Sequence, residues 1–217
     1  MSVFLSVVLV ASVALALYHF RWLEKPASHL RAALKMLPVL LLAAYALAMG
    51  APVLLVLALA LAALGDLCLA YDGEAPFISG LIAFLASHIA YVALFWPETE
   101  TGLILASAWR YAAAWFFIML TGLLLFILWR PVGKLAIPVA IYAAAILAMS
   151  LSALAVKPVL PSAAATLFVM SDTALALQRF LVKPGDPIAK RLKRLVWGAY
   201  YAAQLIFALG IAGLPRF

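Results

Sequence analysis

The chain has 217 residues, of which 69% are hydrophobic and 11% are charged, and its net charge is +7. A soluble core cannot use this much apolar surface, so the composition excludes a soluble globular protein and favours an integral membrane protein. Basic residues flank the apolar runs, where they set topology and contact anionic headgroups, so the charge does not indicate a nucleic-acid partner. One cysteine and three histidines disfavour a zinc site built from those residues.

Apolar runs of membrane-spanning length follow one another along the whole chain. Each span needs roughly 20 apolar residues, and we expect a helix for each because a helix satisfies its own backbone polar groups in lipid. We therefore predict an all-α polytopic membrane protein, with one integral membrane domain over residues 1–217. Its eight transmembrane helices are predicted at 2–19, 34–49, 52–71, 77–96, 110–129, 135–156, 159–181 and 194–213. Segment 98–109 fits a loop, an interfacial helix or an extension of the fifth span.

Lys and Arg residues are distributed unevenly over the links between the spans. With eight spans, twelve of these residues fall on one side of the membrane and three on the other. The positive-inside rule places the larger group in the cytoplasm, so both termini are expected outside a bacterial inner membrane. The larger group is Arg21, Lys25, Arg31, Lys35, Arg130, Lys134, Arg179, Lys183, Lys190, Arg191, Lys193 and Arg194, and the smaller is Arg110, Lys157 and Arg216.

An acidic cassette occurs twice, as LGDLCLA at 64–70 and MSDTALA at 170–176. It places Asp66 and Asp172 inside predicted spans, where each charge costs roughly 2.5–3.5 kcal/mol on insertion scales. A carboxyl in a low-dielectric site resists ionisation, and two neighbouring carboxyls resist it more, so one can hold a proton while the other is ionised. We predict that both face one internal cavity as general acid and general base. Helix caps or interhelical hydrogen bonds are the structural alternative.

The repeated cassette also predicts an internal duplication of four spans plus four spans. The second and sixth spans each begin with a lysine and carry a proline one turn later, Lys35 with Pro38 and Lys134 with Pro138. An even number of helices per half would make the halves parallel, related by an axis along the membrane normal. Chance repetition in a chain rich in Leu and Ala is the alternative.

Six further polar or basic residues are candidates for substrate binding: His88, Tyr91, Arg179, Tyr200, Gln204 and Lys35. His88 and Tyr91 share a helix face, as do Tyr200 and Gln204. Interhelical hydrogen bonding is the competing interpretation for His88 and Gln204. Arg179, two turns after Asp172, either extends to the cytoplasmic surface or holds a phosphate there.

The two cassettes, with FISGLIAFLASHIAY at 77–91 between them, resemble the lysoplasmalogenase family of YhhN-like multi-span membrane proteins. The resemblance covers nearly the whole chain, although Lys35 and Pro38 are separated where the family has a Lys-Pro pair. It implies hydrolysis of the vinyl ether bond of a lysoplasmalogen to a fatty aldehyde and glycerophosphoethanolamine or glycerophosphocholine. The implied partners are a lysophospholipid, water and membrane lipids, with no metal or organic cofactor.

The two carboxyls fit that implied chemistry, because vinyl ethers are stable to base and labile to acid. Protonation of the carbon distal to oxygen gives an oxocarbenium ion, to which water adds before the hemiacetal collapses. A proton donor, a base for water and a nearby negative charge are the same requirements that carboxyl pairs meet in glycosidases. A proton-coupled transporter of a small amphiphile is one alternative function, and a non-catalytic lipid-binding protein is the other.

The predicted topology makes the links after the first, third, fifth and seventh spans cytoplasmic. Single cysteines introduced at Gly73 and Gly185, in a Cys68→Ser background, should escape an impermeant maleimide in intact cells and react after permeabilisation. A cysteine in link 96–102, on the predicted outer side, is the positive control. Labelling of both positions in intact cells would invert the topology.

Overall fold

The computed structural model describes residues 3–183 and 185–213, and within those ranges the chain forms helices and no strand. The predicted all-α class is therefore confirmed. Ser2 of the first predicted span, Pro184 of the last link, Arg216 and both chain termini lie outside the described residues. The helices are α1 Val3–His19, α2 His29–Ala48, α3 Val53–Leu69, α4 Glu74–Phe95, α5 Gly102–Ala106, α6 Ala108–Val132, α7 Ala136–Leu154, α8 Leu160–Phe180 and α9 Pro187–Ala212.

Five stretches of the described chain are long and apolar enough to cross a membrane: α2, Glu74–Glu98, Ala108–Leu154, α8 and α9. The 47-residue stretch contains two helices, because a 3₁₀ turn at Gly133–Leu135 separates α6 from α7. These two helices pack against each other. The apolar helices α1 and α3 have 17 residues each. Each predicted span overlaps one long helix, and the crossing count of eight stays a prediction.

The outer surfaces of these helices suit hydrocarbon rather than water. Large apolar side chains are widely exposed, among them Phe126 at 83% and Val53 at 78%. Soluble monomeric proteins rarely expose so many large apolar side chains in contiguous patches. Trp109 and Trp129 stand twenty residues apart on α6, which is about 30 Å along a helix and matches the hydrocarbon thickness between two aromatic belts. The chain is an integral membrane protein.

Two helices begin five or more residues before their predicted starts, because capping residues extend them beyond the apolar runs. The Ser28 hydroxyl accepts a hydrogen bond from the backbone N–H of Arg31 at 3.2 Å, so α2 begins at His29 rather than near 34. The Asp186 carboxyl accepts from the N–H of Ile188 at 2.9 Å ahead of Pro187, where α9 begins. The basic run at 190–194 is therefore helical. Within 98–109, the short helix α5 ends before an extended Ser107.

The chain divides into two compact units, Met1–Leu94 with Gln204–Phe217, and Phe95–Ala203. In the first unit α2 packs against both α1 and α3. The Ser12 hydroxyl of α1 donates to the carbonyl of Pro38 at 2.7 Å, and the Ser87 hydroxyl of α4 donates to the carbonyl of Ala58 at 2.8 Å. Serine hydroxyls that bond a neighbouring helix's backbone hold helices together where water is absent.

In the second unit α6, α7 and α8 pack around Ala114, Phe117, Ile146, Leu154 and Val169. The buried Arg110 guanidinium donates to the carbonyls of Leu154, Val156 and Lys157, which satisfies backbone groups at the end of α7. In the link that follows, the Lys157 ammonium lies 2.8 Å from Glu100, and this hydrogen bond raises the pKa of Lys157. Because both side chains are exposed, the pair contributes little to stability.

Close packing of α3 against α4 in the first unit depends on two glycines. A Cβ atom at Gly65 would lie 2.6 Å from two ring carbons of Phe84, which is itself buried. A Cβ atom at Gly80 would lie 2.7 Å from Leu69 and 3.4 Å from the carbonyl oxygen of Gly65. The glycine that precedes Asp66 therefore lets α4 approach α3.

Gly65→Ala should destabilise the protein by about 1–3 kcal/mol, because the added methyl group overpacks the contact with Phe84. Gly122→Ala in α6 is the matched control, since nothing lies within 4 Å of its Cβ position. Both changes gain about 1 kcal/mol of helix propensity. The difference between their unfolding free energies therefore reports only the cost of the contact with Phe84. Thermal unfolding in detergent measures it, and equal midpoints for the two variants would contradict the close approach.

Candidate functional site: two membrane carboxyls

Asp66 lies in α3, three residues before the helix ends, and only 1% of its surface is exposed. The ammonium nitrogen of Lys35, on α2, lies 3.6 Å from its Oδ1 atom. A buried negative charge is costly in an apolar medium, and a cation at this distance offsets much of the cost by Coulomb attraction. A charged Lys35 at this position favours the ionised form of Asp66.

The Lys35–Asp66 pair was missed in the sequence, although a signal for it exists there. Lys35 precedes Gly50 by fifteen residues, and Asp66 follows Ala51 by fifteen. Two antiparallel helices joined by a tight turn bring residues equidistant from that turn to the same height, since both rise about 1.5 Å per residue. From the sequence, Lys35 is predicted to bind substrate rather than to pair with Asp66.

Asp172 lies in α8, and the hydroxyl of Tyr142 on α7 donates to its Oδ2 atom at 2.7 Å. The spacing is again symmetric, because Tyr142 precedes Lys157 by fifteen residues and Asp172 follows it by fifteen. Each compact unit thus contains a helical hairpin in which the first helix supplies the partner of the second helix's carboxyl. Tyr142 was not among the predicted site residues, and the internal duplication stays a prediction.

A cavity of about 80 Å³ adjoins Asp172 within the second unit. Water needs only about 10–15 Å³ of such space, so the cavity can hold a small group or several waters. Four of its thirteen lining residues are polar, and none is basic. The lining residues are Leu120, Thr121, Leu124, Leu125, Leu128, Val139, Tyr142, Ala143, Ile146, Val169, Asp172, Thr173 and Ala176.

Three of the predicted binding residues lie in the first unit, fully buried. Nδ1 of His88 lies 2.6 Å from the carbonyl oxygen of Phe84, which assigns the ring proton to Nδ1. The Tyr91 hydroxyl donates to Oε1 of Gln204 at 2.6 Å, and its ring stacks on Phe207. Nε2 of Gln204 is buried and has no hydrogen-bond partner among the described residues.

Tyr200 and Arg179 belong to the second unit and differ in exposure. Tyr200 is 4% exposed and packs edge-on against Phe168, with ring centroids 5.5 Å apart. Arg179 is exposed in the last turn of α8, seven residues after Asp172. The structure thus brings Lys35 to Asp66 and Tyr91 to Gln204. Because Asp66 and Asp172 lie in different units, their common cavity stays a prediction.

A protein-family model for the YhhN family matches residues 30–211, which include both carboxyls. The chain belongs to the YhhN family. Lysoplasmalogenases of Mycobacterium bovis and Mycobacterium tuberculosis are each 31% identical over 161 residues, covering 72% of this chain and 59% of theirs. The bovine lysoplasmalogenase TMEM86A is 27% identical over 219 residues, covering 90% of this chain and 84% of its own.

The chain thus spans about three fifths of the length of the mycobacterial relatives. No solved structure matches. Within this YhhN-family chain, no group of three or more His, Cys, Asp and Glu side chains in residues 3–183 and 185–213 is arranged to hold a metal ion.

Lys35→Met should destabilise the first unit by about 3 kcal/mol, because it leaves the Asp66 carboxylate buried without its cation. The double variant Lys35→Met with Asp66→Asn should recover most of this loss, since neither charge then remains. Lys134→Met, at an exposed lysine in the link before α7, is the matched control. Thermal unfolding of the four proteins in one detergent gives the comparison, and equal midpoints for the two single variants would show that the ion pair contributes nothing.

Proposed function

We propose that this chain is a lysoplasmalogenase-like hydrolase that cleaves the vinyl ether bond of a lysophospholipid. The observation that carries the proposal is the Asp172 carboxyl beside an apolar cavity in a membrane-embedded chain of the YhhN family. Relatives named lysoplasmalogenases support the choice of reaction. The products are a fatty aldehyde and glycerophosphoethanolamine or glycerophosphocholine.

The reaction consumes one water and needs no net change in oxidation state. A carboxyl proton is transferred to the alkenyl carbon distal to the ether oxygen, which leaves an oxocarbenium ion and a carboxylate. Water adds to the cationic carbon and returns a proton to a carboxylate. The hemiacetal then breaks its bond to the glycerol oxygen, which takes up the remaining proton as the aldehyde leaves. Asp66 and Asp172 are the carboxyls proposed for these steps.

The two carboxyls have different partners, and this difference suits different roles. Lys35 stabilises Asp66 as a carboxylate, the form that accepts a proton from water or offsets a cation. Tyr142 and the cavity bring Asp172 next to space in which a ligand can lie, as a proton donor requires. Lys35 is then a positioning and charge-balancing residue rather than a substrate ligand.

The remaining predicted binding residues fall into two groups under this proposal. His88, Tyr91, Tyr200 and Gln204 are almost fully buried, so they would shape the helix packing around a bound lipid or contact it only deep in the protein. Arg179 is exposed at the end of α8 and suits a phosphate of the headgroup, because a guanidinium can bind two phosphate oxygens together.

The distribution of basic residues over the links supports a proposal for the orientation of the chain in the membrane. We propose that residues 1–217 form one integral membrane domain of a bacterial inner membrane, with both termini outside and the basic links in the cytoplasm. The lysolipid headgroup would then lie at the cytoplasmic face.

Asp66→Asn and Asp172→Asn should each lower aldehyde release from an alkenyl glycerophosphoethanolamine by about 10²–10⁴-fold, because an amide cannot transfer the proton. His88→Gln should reduce it less, since His88 is assigned no proton transfer to carbon. Each purified variant is assayed for aldehyde with a folding check by thermal unfolding.

Retention of a saturated ether lysolipid, which cannot be cleaved, is the binding control for these variants. If both Asn variants keep near-normal turnover while His88→Gln is inactive, the acid is misassigned. If the unaltered protein binds the lysolipid and releases no aldehyde, hydrolysis is wrong and transport or lipid binding takes its place.

A further inference from the structure

We propose that the cavity between α6, α7 and α8 is the subsite for the ether-bearing segment of a single-chain lipid. Asp172 is the acid that touches this segment, and Tyr142 is the residue that positions the acid. The assignment of Asp172 as proton donor rests on the proposed function, whereas the binding subsite rests on the cavity itself.

The size of the cavity selects a short segment rather than a whole chain. Its volume of about 80 Å³ is several times the roughly 10–15 Å³ that one water needs, so it admits a group of a few heavy atoms. The enol ether group, one oxygen and two carbons, has about this size. The rest of the hydrocarbon chain must therefore lie beyond the cavity, where the exposed apolar surface of the helices faces lipid.

The residues that line the cavity are mostly apolar and favour an uncharged ligand. Nine of the thirteen lining residues are apolar, and the four polar ones are Thr121, Tyr142, Asp172 and Thr173. No lining residue is basic, so a phosphate would find no cation there and would be costly to bury. An ether oxygen beside two carbons needs only weak polar contacts. The occupant is thus the linkage between glycerol and chain, not the headgroup.

The position of Asp172 within the cavity gives the bound segment a direction. Along α8 the cavity runs from Val169 to Ala176, with Asp172 between them. Ala176 is nearer to the end of α8 at Phe180, which leads to links predicted to be cytoplasmic. The glycerol therefore points towards Ala176 and the remaining chain towards Val169.

Tyr142 orients the acid and stabilises it after it has lost its proton. Its hydroxyl donates to Oδ2 of Asp172 at 2.7 Å, which fixes the orientation of the carboxyl. The transfer leaves a carboxylate inside an apolar cavity. A hydrogen bond to an ionised oxygen is stronger than one to a neutral oxygen, so the Tyr142 contact gains strength as the reaction proceeds.

Binding is tested with a saturated ether lysolipid that carries a diazirine at the second carbon of its chain. Photolysis should label residues of α6, α7 or α8 in the purified full-length protein. Ala143→Leu adds three carbon atoms to the cavity and should weaken saturable labelling about tenfold or more, because overpacking displaces the ligand. The matched control is Ala144→Leu, at the next residue of α7, which is exposed and does not line the cavity. Ala176→Leu fills the cavity from α8 and replaces Ala143→Leu if that variant fails to fold.

Positioning is tested with Tyr142→Phe, which keeps the ring and removes the hydroxyl. The expected result is a fall in kcat of about 10–100-fold, the range found for residues that orient metal ligands through a hydrogen bond. KM should change little, and the alkaline limb of the pH–rate profile, where the acid loses its proton, should move. Tyr111→Phe, at an exposed tyrosine of α6 outside the cavity, is the control.

The outcomes separate this inference from the proposed function. If labelling lies elsewhere, or Ala143→Leu binds like Ala144→Leu, the subsite is wrong even where aldehyde is released. If the cavity is labelled but no aldehyde forms, the subsite stands and hydrolysis fails. If Tyr142→Phe lowers only the melting temperature and keeps kcat and the pH profile, Tyr142 is structural and its positioning role is overturned.

Discussion

A carboxyl group inside hydrocarbon must have a partner, because no bulk water reaches it to offset the cost of burying a polar group. Both units of this protein meet that requirement in the same way. The second helix of a hairpin carries the carboxyl, and the first helix supplies the partner at the same distance from the turn. Lys35 forms an ion pair with Asp66, and Tyr142 donates a hydrogen bond to Asp172. The local geometry around each acid follows from this need.

The two carboxyls differ in the chemical nature of the residue that each of them contacts. A charged lysine ammonium stabilises the ionised form of a neighbouring carboxyl. Asp66, the carboxyl beside Lys35, is almost completely buried. A phenol hydroxyl can bond a carboxyl in either protonation state, and Asp172 adjoins open space. Under the proposed function, the lysine partner suits an acid that stays charged, and the tyrosine partner suits an acid that exchanges a proton with a ligand.

The all-α class and the positions of the long helices could be predicted from sequence, because hydropathy reports directly on contact with lipid. The start of α9 could not, since the Asp186 cap and Pro187 extend a helix into a polar segment that hydropathy treats as a link. The two acids also stood out, as charges within apolar runs do. Tyr142 did not, because tyrosine is common in such runs and only its register with Asp172 across the hairpin distinguishes it.

The depth of Asp172 fits the chemistry proposed for it. The glycerophosphate of a lysolipid stays at the interface, whereas its ether linkage lies only a few bonds below, where the hydrocarbon begins. An enzyme that protonates this linkage must bring a carboxyl to that depth. Asp172 lies eight residues before the end of α8, which is about 12 Å along the helix. An acid at the helix end would meet the headgroup, and an acid at mid-membrane would meet only the saturated chain, so the intermediate depth is the one at which an acid and an enol ether can come into contact.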